Sequence, residues 1–99
     1  MSQFTVSVSK DLKDLIPAFL GNRLQELAAL RAALEGGDIE KLRWLAHRMK
    51  GVGGTYGFSE ITLTGKRILD CTNANEHAEV GKLVAEYSTY LANVEVAYQ

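Results

Sequence analysis

Hydrophobic residues change their spacing at Lys10. Before it, Phe4, Val6 and Val8 alternate with polar neighbours, the period of an extended arm laid against a surface. The run is short and no second strand-like run follows, so a sheet is not expected. After Lys10, the residues Leu12, Ile16, Phe19, Leu20, Leu24, Leu27, Leu30 and Leu34 recur at steps of three and four, the stripe of an amphipathic helix. Ser9 is a candidate N-cap and Asp11 suits the positive end of the helix dipole. Pro17 leaves two readings open: a short helix ending near Leu15 before a long one that the proline opens, or one helix kinked there. Gly36-Gly37 stops this segment, and Asp38 can cap the next.

A second helix is predicted from Asp38 to about Gly53, with Leu42, Leu45, Ala46 and Met49 on one side. A glycine-rich break follows at Gly53-Gly54-Thr55-Tyr56-Gly57. Ser59 can cap a third helix through about Thr72, with Ile61, Gly65, Ile68 and Leu69 turned inward. Asn73-Ala74-Asn75 makes a polar turn, and Asn75 can cap a last helix carrying Val80, Leu83, Val84, Tyr87, Leu91, Val94 and Tyr98. Four amphipathic segments joined by short turns predict an all-α fold, an up-down antiparallel four-helix bundle with a short N-terminal arm or helix. One domain over residues 1–99 is expected, with a radius of gyration of roughly 13 Å.

Composition narrows the function classes. Eleven basic residues against twelve acidic ones give a net charge of −1, a poor basis for phosphate-backbone contacts, so nucleic acid is not an expected partner. No apolar run approaches the ~18 residues of a membrane span, and Met1 to Thr5 lack the basic and apolar regions of a secretory leader. A cytoplasmic location is expected. The single cysteine, Cys71, cannot close an internal disulfide, and no Cys/His cluster suggests a metal.

The segment with chemistry in it is His47-Arg48-Met49-Lys50-Gly51-Val52-Gly53-Gly54-Thr55-Tyr56-Gly57-Phe58. At about 100° per residue, and with the core set by Leu42, Leu45, Ala46 and Met49, His47 points roughly 140° away from the core. Arg43 lies one turn before it and Lys50 and Gly51 one turn after, with Gly54 beyond. A neutral imidazole carries a nucleophilic ring nitrogen. Such a histidine can take a phosphoryl group, whose oxygens Lys50 and Arg43 could meet. The bland alternative is a solvated histidine between two surface cations. Interior helical glycines cost about 1 kcal/mol each against alanine, so Gly51 and Gly54 suggest room for something that approaches the backbone. Gly53 rotates back toward the core and suggests close helix packing instead.

The run from His47 to Gly57 resembles the phosphotransfer signature of histidine phosphotransfer (HPt) domains, H-x-[L/M]-K-G-small-small-x-x-apolar-G. His47, Met49, Lys50, Gly51, Gly53, Tyr56 and Gly57 fit that pattern. The resemblance extends to the helix start at Gly37-Asp38 and to Leu69-Asp70, where the family often has Leu-Glu. Val52 departs from it, since Ser or Ala is common there; rotation turns Val52 away from His47, so a packing difference is expected rather than lost transfer. The resemblance implies a relay in which His47 accepts a phosphoryl group on Nε2 from the aspartyl phosphate of a response-regulator receiver domain and passes it to another receiver. It implies partners of that kind, including a hybrid histidine kinase, and a divalent metal (Mg²⁺) supplied by the receiver, with no cofactor of the chain's own. A monomer is expected by the same analogy.

No phosphate-cradling loop follows a strand and no GK[S/T] occurs, so a relay intermediate is expected rather than an ATP-using enzyme. Docking would use apolar positions around His47. Trp44 lies roughly 60° past it on the same helix, and Leu63 falls opposite the inward stripe of the third helix. Both admit the plainer reading of ordinary surface residues. His77, beside Glu76 and Glu79, reads as solvated, Cys71 has no base at helical spacing, and Tyr87, Tyr90 and Tyr98 read as core and rim aromatics. The rival function is a non-catalytic helical interaction module, an inactive HPt-like scaffold that would keep binding after His47→Ala.

Overall fold

The computed structural model describes residues 4–99; the part of the arm predicted over residues 1–3 lies outside them. In chain order come a strand β1 (Thr5–Val8), a 3-10 segment (Lys10–Leu15), α1 (Ile16–Gly36), α2 (Ile39–Val52), a 3-10 turn (Gly53–Tyr56), α3 (Ser59–Asn73), α4 (His77–Asn93) and a strand β2 (Glu95–Tyr98). Helix α1 packs on α2 and α4, and α3 packs on α2 and α4, so the helices close a ring in chain order. The bundle is thus the predicted up-down arrangement, 41 × 25 × 19 Å with a radius of gyration of 13.5 Å. Leu30, Leu42, Met49, Ile61, Ile68, Val80 and Tyr87 fill its axis, each at most 1% exposed.

The turns follow local chemistry. Pro17 stands in the first turn of α1 behind a separate 3-10 segment, where its missing N–H breaks no helical bond; the first of the two readings of Pro17 is the one observed. Gly37, at φ 66°, ends α1, and Asp38 N–H reaches back to Ala33 O at 2.9 Å. Asp38 then accepts from Lys41 N–H at 3.1 Å, capping α2 as expected.

Four expectations are corrected. The first is the sheet: β1 and β2 pair in parallel, with Thr5 opposite Glu95 and Val8 opposite Tyr98. Glu95 N–H donates to Phe4 O at 2.8 Å and Gln99 N–H to Val8 O at 3.0 Å. Parallel strands need a long crossover, and here the whole bundle provides it. The second follows from the first: Val94 and Tyr98 do not continue the last helix, which ends at Asn93. The third is Leu24, 54% exposed; the buried stripe of α1 passes instead through Ile16, Phe19, Arg23, Glu26, Leu27, Leu30 and Ala33. The fourth is capping: Asn75, at φ 60°, closes the end of α3 instead of starting α4, and Ser59 lies inside α3 with Phe58 at the cap position.

Candidate functional site

Helix α2 buries Leu42, Leu45, Ala46 and Met49, and this register turns His47, Lys50 and Gly51 to solvent, with Gly54 exposed just beyond the helix. No side chain among the described residues hydrogen-bonds the His47 ring, and Lys50 makes no ion pair there. Lys50 is three residues along from His47, so the two side chains are neighbours on one face. A Cβ added at Gly51 or at Gly54 would meet nothing within 4 Å. An open strip of backbone therefore runs beside the exposed imidazole.

The glycines on the other side of the turn do a different job. A Cβ at Gly53 would lie 2.6 Å from Thr62 N and 2.8 Å from Phe58 O, which is the close packing that rotation predicted. Gly65 of α3 is tighter against α2 than its place in the inward stripe suggested. Its Cβ would meet Lys50 N at 2.7 Å, Ala46 O at 2.8 Å and Met49 Cβ at 2.8 Å. The α2 backbone on either side of His47 is thus braced by α3 at the one residue type that lets two helices approach so closely.

The cations differ in their commitments. Arg43 is half-buried and turned toward the end of α3, donating to Asn73 Oδ1 at 2.8 Å and to Glu40 Oε1 at 2.6 Å. It sits on the predicted flank of His47, but its guanidinium links α2 to α3. Asn73 was legible only as a turn residue, since a contact 30 positions away leaves no periodic trace. Trp44 is 55% exposed, and Leu63 on α3 is 42% exposed, so both stand on the surface. Lys41 Nζ and the Arg48 guanidinium lie 5.5 and 5.4 Å from the Trp44 ring centroid. Sequence reasoning passed over both, although their spacing from Trp44, three before and four after, carries the signal.

Below Trp44, α1 contributes a buried charge pair. Arg23 Nε lies 3.3 Å from Glu26 Oε1, with both side chains about 5% exposed, and Tyr87 donates its hydroxyl to the same oxygen at 3.3 Å. The Arg23 N–H is within ion-pair distance yet is not aligned for a hydrogen bond. Burial holds the Glu26 carboxyl above its ordinary range against the opposing pull of Arg23. The Tyr87 hydroxyl is pushed up by burial first and by Glu26 second.

The weaker candidates stay apart from His47. His77 is exposed at the start of α4. Cys71 is half-buried, and burial followed by the nearby Glu76 carboxylate pushes its thiol up, the opposite of what a thiolate nucleophile needs. Tyr87 and Tyr90 are core residues, whereas Tyr98 on β2 is 38% exposed. Among the described residues no group of three or more His, Cys, Asp or Glu could hold a metal ion, and no helix is long and apolar enough to cross a membrane.

A family model described as "Hpt domain" matches residues 4–97 of the 99, which takes in β1, all four helices and β2 except its last residue. No curated protein gives a match. No solved structure does either.

Proposed function

Because the chain belongs to the Hpt domain family, whose members carry phosphoryl groups on histidine in phosphorelays and interact with receiver domains and histidine kinases, we propose that His47 is the phosphoacceptor. The observation that carries the assignment is the exposed imidazole beside Gly51 and Gly54, where the backbone is open to an approaching surface. His47 Nε2 attacks the phosphorus of a receiver's aspartyl phosphate. An N–P bond forms as the P–O bond to the carboxylate breaks; the carboxylate leaves with the bonding pair and the ring sheds its Nδ1 proton to water. The return step to a second receiver runs the same chemistry backwards.

In-line transfer of this kind depends on positioning and charge stabilisation more than on protein-borne acid or base. Lys50 faces the phosphoryl oxygens as a point charge, and Gly51 with Gly54 gives the partner clearance. Arg43 contributes mainly by fixing α2 against α3 through Asn73 and stands at the rim. Trp44 and Leu63 supply apolar docking surface. The Mg²⁺ comes with the receiver, and no nucleotide takes part.

The test is transfer from a purified, phosphorylated receiver domain with Mg²⁺ to wild type and to His47→Ala. An acid-labile, alkali-stable label that is absent from the variant is expected. A folded wild-type protein that binds receivers and takes no label would point to an interaction module instead.

A further inference from the structure

Trp44, Lys41 and Arg48 line a cleft of about 270 Å³ against α1, whose other walls include Asn22 and Gln25 and which is also lined by Arg23 and Glu26. Arg23 and Glu26 offset each other at 3.3 Å. Lys41 and Arg48 have no carboxylate within ion-pair distance among the described residues. Glu26 feels Arg48 at longer range, and one carboxylate against the cations of Arg23, Lys41 and Arg48 leaves the cleft with an excess of positive charge. The contacts of Lys41 and Arg48 are with the face of Trp44, an attraction weaker than a charge-assisted hydrogen bond. Arg23 and Glu26, 4% and 6% exposed, each keep a polar atom without a hydrogen-bond partner, Nε and Oε2.

We propose that this cleft receives one acidic side chain, Asp or Glu, from the receiver domain that docks over His47, and so helps to select the receiver. The inference rests on the phosphotransfer reading for the identity of the partner. Charge decides the class of side chain: three cations, Arg23, Lys41 and Arg48, line a recess that holds one carboxylate, Glu26. Position decides the source. Trp44 precedes His47 by three residues and Arg48 follows it by one on α2, so a protein surface covering the imidazole extends over the cleft. Lys41 and Arg48 would then exchange a ring contact for bonds to a carboxylate, excluded from water by the indole.

Trp44 is the chain's one tryptophan, so its emission reports on the cleft directly. The full chain is titrated with unphosphorylated receiver domains, and separately with sodium phosphate at constant ionic strength. Receiver binding is expected to change the emission saturably. The double variant Lys41→Gln, Arg48→Gln is expected to weaken that binding by about tenfold and to flatten its dependence on NaCl. Both residues are exposed, so the variant should melt as wild type does, and Lys41→Arg, Arg48→Lys should restore most of the affinity. Unchanged affinity in the double variant overturns the inference while leaving labelling of His47 intact. Saturable quenching by phosphate that competes with the receiver assigns the cleft to free anions and overturns it too. A receiver that binds through Lys41 and Arg48 without labelling His47 upholds the cleft and removes the relay reading; neither binding nor labelling removes both.

Discussion

Two alanine substitutions, at Gly51 and at Gly65, separate the glycine that clears space from the glycine that lets helices touch. Gly51 lies in the last turn of α2, and its added Cβ meets nothing within 4 Å. Gly51→Ala should therefore gain helix propensity without strain, about 0.5–1 kcal/mol, which for a domain of this size is a rise of about 4–8 °C in Tm per kcal/mol. The same substitution at Gly65 gains as much propensity but drives a Cβ to 2.7 Å from Lys50 N and 2.8 Å from Ala46 O. Those are backbone atoms of a packed helix and cannot rotate away, so overpacking of about 1–3 kcal/mol should outweigh the gain. Urea denaturation of both variants measures the difference, and labelling from a phosphorylated receiver measures the function. Gly51→Ala should be the more stable protein and the slower acceptor, by about tenfold or more, because a methyl in the approach path misplaces the reacting atoms. If Gly65→Ala is as stable as Gly51→Ala, the close approach of α2 and α3 is refuted. If Gly51→Ala accepts phosphoryl at the wild-type rate, the open strip is not clearance for a partner.

Other outcomes follow from the surface and the core. Leu63→Lys should leave the melting curve unchanged and raise the receiver concentration needed for half-maximal labelling, since Leu63 is 42% exposed; an unchanged concentration removes it from the interface. Tyr87→Phe should cost about 1–2 kcal/mol in urea titrations, because it deletes the hydroxyl that donates to buried Glu26. Glu26 has a carboxyl raised in the folded state, so the folded protein holds that proton more tightly than the unfolded chain does. Its contribution is fully present below the ordinary carboxylate value and is lost as pH rises through the raised one. Wild type should accordingly lose stability relative to Glu26→Gln as the pH is taken from about 4 to 7; parallel pH profiles would contradict the assignment. Val8→Ala should cost about 2 kcal/mol by thermal melting, since Val8 is 3% exposed and carries the strand pair onto the core.

Much of the candidate site was legible because it is local. His47, Lys50, Gly51 and Gly54 fall within eight residues of one helix and its end, and a period set by Leu42, Leu45, Ala46 and Met49 is enough to orient them. Trp44 and Leu63 were placed on the surface by the same rotation, and their exposure agrees with it. Arg43 was read from its spacing as a flank of His47, whereas its engagement with Asn73 comes from another helix and has no sequence signature. The same holds for Gly65, whose inward position could be read while the backbone it meets could not. On α1 the pattern misled at Leu24, because Arg23 and Glu26 occupy core positions as a matched pair and a hydrophobic stripe skips charged residues.

By itself the sequence determined the four helices and their order, and the solvent-facing histidine with its lysine and open glycines, since each depends on residues three or four apart. Only the tertiary structure decided the pairing of the two ends of the chain into a parallel ribbon, the bracing of α2 by Gly65, the capture of Arg43 by Asn73 and the burial of the Arg23–Glu26 pair. Each of these is a contact between distant segments, stable only once the bundle has brought them together and removed the water between them.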